Sequence, residues 1–142
     1  MIPVRRPTIA ASIVLALAGC GGSAPMPDHA TMTDVNVGKS SVDFVFDTRV
    51  QKVAAAFARG AIAECGSGAP VRPRGAAVLV IHFVPAQTQG LPKRIVMPSG
   101  SVRELWKMCD FEADVGWAIA VSRLGPFDVS RDGTTVTVTF GG

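Results

Sequence analysis

The sequence predicts a small α+β domain, with two helices packed on a three-stranded antiparallel sheet in the order α-β-β-α-β. Two observations lead there. Two segments carry apolar residues at helical spacing, each behind a capping-box pair, Thr48 with Gln51 and Ser101 with Glu104. Three further runs are β-branched or strictly alternating and are bounded by glycine, proline or Asp-Gly.

The elements follow in chain order. Val42, Phe44 and Phe46 alternate with Asp43 and Val45, which suggests a short leading strand. Asp47 or Thr48 can cap a first helix, along which Val50, Val53/Ala54, Phe57, Ala61/Ile62 and Cys65 recur on one face until Gly66-Ser67-Gly68 stops it. A loop over 66–75 leads into Ala76 to Val84, read as a strand with Leu79, Ile81 and Phe83 on one face. Pro85 to Pro92 reads as a turn and Lys93 to Met97 as a second strand, the two strands pairing as a hairpin. A second helix is expected from Val102 to about Arg123, with Leu105, Met108/Cys109, Val115 and Ile119 as its stripe and Gly125-Pro126 as its end. Asp132-Gly133 turns the chain into a last strand from Thr134 to Phe140. There Val136, Val138 and Phe140 face the core and Thr135, Thr137 and Thr139 face out.

The N-terminus is read separately from this domain. Arg5 and Arg6 precede an uncharged run, Thr8 to Ala18, too short for a spanning helix, which needs ~20 apolar residues. Leu17-Ala18-Gly19-Cys20 then resembles the lipobox of bacterial lipoproteins. The resemblance implies cleavage before Cys20 and lipid on its Sγ, which would hold the protein at a bilayer, since each buried CH₂ contributes ~0.8 kcal/mol and two chains suffice for stable anchoring. Gly21 follows Cys20 where an Asp would mark inner-membrane retention in enteric bacteria. The expected location is therefore the periplasmic side of the outer membrane, with the inner membrane as the alternative. The resulting division is 1–19 signal peptide, 20–41 lipidated N-terminus and flexible tether, and 42–142 folded domain.

Removing the signal also removes a charge argument. The chain has 14 Lys+Arg against 11 Asp+Glu, and losing Arg5 and Arg6 leaves 12 against 11, a net of +1. That is no basis for nucleic-acid binding. With Cys20 lipidated, Cys65 and Cys109 remain as an even pair, and an oxidising compartment pairs them in a disulfide. The loop closed would be about 45 residues, worth roughly 4 kcal/mol in the chain-entropy model. Neither cysteine has a partner at metal-ligand or C-x-x-C spacing, so no metal, cofactor or redox centre is expected.

The layout from Asp47 to Phe140 resembles the TonB/TolA C-terminal domain superfamily, in particular its cysteine-paired AgmX/PglI branch. The matching residues are Cys65 at the end of the first helix, then Val78, Val80 and Phe83, then Gly90 to Val96 and Ser99-Gly100. Cys109, Gly125-Pro126-Phe127 and the closing V-x-V-x-F strand complete the set. Gly66 stands where that branch has an aromatic, and a lipid anchor replaces the transmembrane helix of TonB itself. The resemblance implies a binding module that takes up a partner segment by adding a strand to its sheet edge. If the last strand is an edge, Thr135, Thr137 and Thr139 are the partner-binding positions; the plainer reading makes it a structural strand.

Candidate chemistry is sparse. His82 is a lone strand histidine, and such residues are more often structural than catalytic. Asp110, Glu112 and Asp114 cluster on the expected second helix, and Asp110 and Asp114, at i, i+4, would share a face, where a carboxylate pair can bind a cation or move a proton, though a solvated face is the commoner meaning. Arg72, Arg74, Lys93 and Arg94 could converge on an anion, and Trp106 and Trp117 are explained by packing. The expected function is a non-enzymatic interaction module that docks an envelope protein or peptide. Two alternatives compete with it. An inhibitor or secretion accessory would present the loop 66–75 or 85–92. An enzyme would need a pocket joining His82 to an acid and a nucleophile.

Overall fold

The computed structural model describes residues 29–141, so the expected signal, Cys20 and the first part of the tether lie outside the described residues. The fold is a β-sandwich, and among the described residues there is no helix, which overturns the α+β expectation and the TonB-like layout. The strands in chain order are β1 (Ala30–Val37), β2 (Ser41–Phe46), β3 (Lys52–Phe57), β4 (Ile62–Ala63), β5 (Pro70–Val71) and β6 (Ala77–Val84). They continue with β7 (Ala86–Thr88), β8 (Arg94–Val96), β9 (Val102–Phe111), β10 (Asp114–Val121), β11 (Phe127–Asp132) and β12 (Thr135–Phe140). One five-stranded sheet has the order β11-β12-β2-β1-β7 and the other β3-β6-β10-β9-β8, while β4 and β5 form a separate small hairpin. Pairing is antiparallel except that β7 runs parallel to β1.

The two sheets meet across aromatic and branched side chains. Phe44 of β2 packs on Phe83 of β6 and on Trp117 of β10, with ring centroids 4.9 and 6.1 Å apart, and Phe46 lies 5.1 Å from Phe83. Met32, Val42, Leu79, Ile81, Leu105, Ile119 and Val138 fill the space around them and are fully buried. Period-2 alternation delivers these residues to one face of each sheet, as at Val136, Val138 and Phe140, which are buried as the sequence predicts.

Four corrections follow. The expected first helix is β3 and the chain leading into β4; its alanines suit a helix, but pairing with β6 from Lys52↔Val84 to Phe57↔Leu79 outweighs that propensity. The expected second helix is the β9–β10 hairpin, closed at Phe111↔Asp114. Its turn residues Glu112 and Ala113 both take positive φ, 50° and 64°, as a tight hairpin turn demands, without the Asn-Gly that would announce one. The strand around Lys93 to Met97 exists as β8 but pairs with β9, not with β6. Residues 30–37, assigned to the tether, form β1, paired to β2 and β7, with Ala30 and Met32 in the core, so the folded region begins upstream of Val42.

The loop between β3 and β6 is a flap over the outer face of the second sheet. Facing it on β10 are Gly116, Ala118 and Ala120, and beside these on β9 stand Cys109, Trp106 and Glu104. Cys65 on the flap and Cys109 on β9 form a disulfide, with Cα atoms 5.1 Å apart. The Cys65 amide donates to the Met108 carbonyl at 3.1 Å, and the Arg74 amide donates to Glu104 Oε2 at 3.1 Å. The small side chains of β10 allow this close approach, and under the flap Ala118 and Ala120 are buried as completely as the core.

Candidate functional site

A sandwich of two open sheets has edges, and unpaired edges are where another chain can join. Here they are β11 and β7 in one sheet and β3 and β8 in the other. β7 and β8 have three residues each. β11 carries Asp128, Arg131 and Asp132, and Arg131 Nη1 donates to the Val50 and Gln51 carbonyls at 3.1 and 3.3 Å. That leaves β3. From Val53 to Ala58 (VAAAFA) it carries no charge and no proline, the devices by which edges are usually blunted.

The hydrogen-bonding sense of this edge follows from one bond. The Ala58 amide donates to the Val78 carbonyl at 2.8 Å, the residue opposite it in the β3–β6 register. In an antiparallel pair, hydrogen-bonded and non-hydrogen-bonded positions alternate. Ala54, Ala56 and Ala58 therefore turn their main-chain groups toward β6, and Val53, Ala55 and Phe57 turn theirs outward. Side chains divide the same way. Ala54 and Ala56 are exposed on the outer face, whereas Val53, Ala55 and Phe57 are half-buried against the core. Phe57 meets Phe127 of β11 edge-on, at 5.5 Å and 83°.

Beside this edge lies an open groove of about 380 Å³ lined by Ala54, Ala56, Phe57, Arg59, Val80 and His82 among others. His82 Nδ1 lies 2.8 Å from Asp114 Oδ1, and about a third of each side chain is exposed. The groove thus brings together a histidine and, behind it, a carboxylate. Its lining contains no hydroxyl, thiol or carboxylate side chain, so nothing there serves the dyad as nucleophile.

The other candidates are dispersed. Asp114 pairs with His82, Asp110 accepts from the Thr88 hydroxyl, and Glu112 sits in the turn, so no acidic face forms. No group of His, Cys, Asp and Glu among the described residues could hold a metal. Lys93 pairs with Glu64, and Arg94 Nε donates to Glu104 Oε1 at 2.6 Å while its guanidinium lies 5.5 Å over the Trp106 ring. These cations meet carboxylates of the flap and of β9, and they form no anion site. The Lys93 ammonium and the Ser67 hydroxyl hold the Glu64 carboxyl below its usual range. The loops suggested for an inhibitor do not protrude freely: 66–75 is pinned by the disulfide and the Glu104 bond, and 85–92 contains β7.

Thr135, Thr137 and Thr139 are corrected as partner-binding residues. β12 is bonded on both sides, to β11 and to β2, so it has no free main-chain groups to offer an added strand. The Thr137 hydroxyl donates to Asp43 Oδ1 of β2 at 2.7 Å, a contact inside the sheet. The β3 edge was missed because its alanines read as helix. The signal that could have found it is the uncharged run between Lys52 and Arg59.

Among the described residues, fold and edge together define an all-β sandwich with β3 as an edge strand that is uncharged after Lys52. The chain matches no protein-family model, no curated protein and no solved structure.

Proposed function

We propose that this chain is a lipid-anchored envelope protein whose folded part docks an extended segment of another protein along β3. The anchor rests on Leu17-Ala18-Gly19-Cys20 behind an uncharged run, with lipid on Cys20 and the outer membrane as destination. Docking rests on one observation: β3 is a six-residue edge whose Val53, Ala55 and Phe57 turn N–H and C=O groups outward along a stretch that carries no charge beyond Lys52 at its start. Added main-chain hydrogen bonds supply the affinity, and the groove beside Ala54 and Ala56 supplies selection for side chains. Catalysis is not part of this reading.

The test uses proline, which removes one donor. Ala55→Pro deletes an outward N–H and leaves the β3–β6 ladder bonds in place, whereas Ala56→Pro deletes an inward one. After co-purification from detergent-solubilised membranes, Ala55→Pro is expected to lose a specific partner while keeping the wild-type melting temperature. Undiminished recovery with a folded Ala55→Pro protein would sink the docking reading.

A further inference from the structure

Resting on that reading of the β3 edge, we infer that the segment it takes up is β3 of a second copy, paired antiparallel about a two-fold axis at Ala55 to make one continuous ten-stranded sheet. Two requirements restrict the register, and the pairing that opposes all three outward-facing residues of β3 meets both. For the sheets to continue with their core faces on the same side, opposed residues must share a face, so both must be odd-numbered or both even. For hydrogen bonds to form, the residues with outward main-chain groups must oppose one another, and these are Val53, Ala55 and Phe57. Pairing Val53 with Phe57 of the second copy and Ala55 with its own equivalent satisfies both.

That register yields six main-chain hydrogen bonds, two for each of the three opposed pairs of outward-facing residues. Its side-chain pairs also match. Val53 lies beside Phe57 on the half-buried face, and Ala54 beside Ala56 on the outer face. No two charged residues are directly opposed: Lys52 comes opposite Ala58, and Arg59 opposite Gln51. Such self-matching is what an isologous interface requires. Two molecules tethered to one membrane surface also share a raised effective concentration, which favours a contact of this modest size.

The experiment is disulfide trapping in intact membranes carrying the full lipidated chain. Across a hydrogen-bonded pair the Cα atoms lie ~5.5 Å apart, within disulfide reach, so Ala55→Cys is expected to run as a reducible dimer. Lys52→Cys is the control, since its equivalents would be ~20 Å apart. Equal trapping of both variants would mean random collision and would overturn the inference. Loss of recovery between two differently tagged copies on Ala55→Pro, with the fold retained, supports it without any new thiol. A benzophenone side chain placed at Ala54 separates the two readings. An adduct of twice the chain mass supports self-pairing. An adduct with a different protein overturns self-pairing and leaves strand docking standing. No adduct, with Ala55→Cys monomeric, brings down both.

Discussion

Glu104 is fully buried, and its surroundings keep it ionised. Burial is the largest single influence and pushes its pKa up. The Arg94 side chain and the Arg74 amide, helped by the adjacent Trp106 indole and the Arg94 charge, outweigh it and hold the carboxyl below its ordinary 4.5. A folded-state pKa below the unfolded one adds stability above pH 4.5, and that stability is lost as pH falls through the lower, folded value. Glu104→Gln is therefore expected to cost about 1–3 kcal/mol at neutral pH, read as a lower urea midpoint, and to flatten the loss of stability on acidification below pH 4.5. Gly116 is constrained for a different reason. A Cβ there would stand 2.9 Å from His82 Cε1 and 3.0 Å from Cys109 Cβ. Gly116→Ala should cost about 1–3 kcal/mol and displace His82 from Asp114, seen as a changed imidazole resonance together with a lower melting temperature.

The β9–β10 hairpin shows at the scale of elements why parts of the fold were legible and others were not. β2 and β12 could be read because their alternation is a contrast of burial that hydropathy reports, and β6 because it is rich in β-branched and aromatic residues. β10 alternates in size instead: Val115, Trp117, Ile119 and Val121 face the core, and Gly116, Ala118 and Ala120 face the flap. With both faces covered, the strand has no polar side, and its apolar residues could be fitted to a helical stripe. The capping-box spacing at Ser101 and Glu104 misled for the same reason, since Glu104 is spent on Arg94 and the flap. The Cys65–Cys109 pair needed only counting, but what it staples depends on a flap that local pattern does not reveal. The β3 edge stayed hidden inside an alanine run, because exposure of an edge is a property of the assembled sheet. Two element-scale outcomes follow. Ala113→Gly relieves a positive φ of 64° and should raise stability by up to ~1 kcal/mol in thermal or urea unfolding. Replacing Cys65 and Cys109 together by alanine removes a cross-link between residues 44 apart and should cost about 4 kcal/mol by the same measurement.

On the scale of the whole molecule, the chain passes between the two sheets four times among the described residues, at β2–β3, β6–β7, β7–β8 and β10–β11. Central positions therefore carry consequences for everything. Thr137→Pro, placed in a strand bonded on both sides, should abolish cooperative unfolding altogether rather than impair docking alone, which circular dichroism would register at once. The pairing of β2 has an implication for biosynthesis. One side of β2 is completed by β1, which precedes it, but the other waits for β12, with Val42 joined to Val138 and Ser41 to Thr139. The first sheet cannot close until β12 has been made. A chain leaving the ribosome therefore keeps the open side of β2 exposed until β12 has been made, the interval in which an unpaired edge is most open to wrong partners.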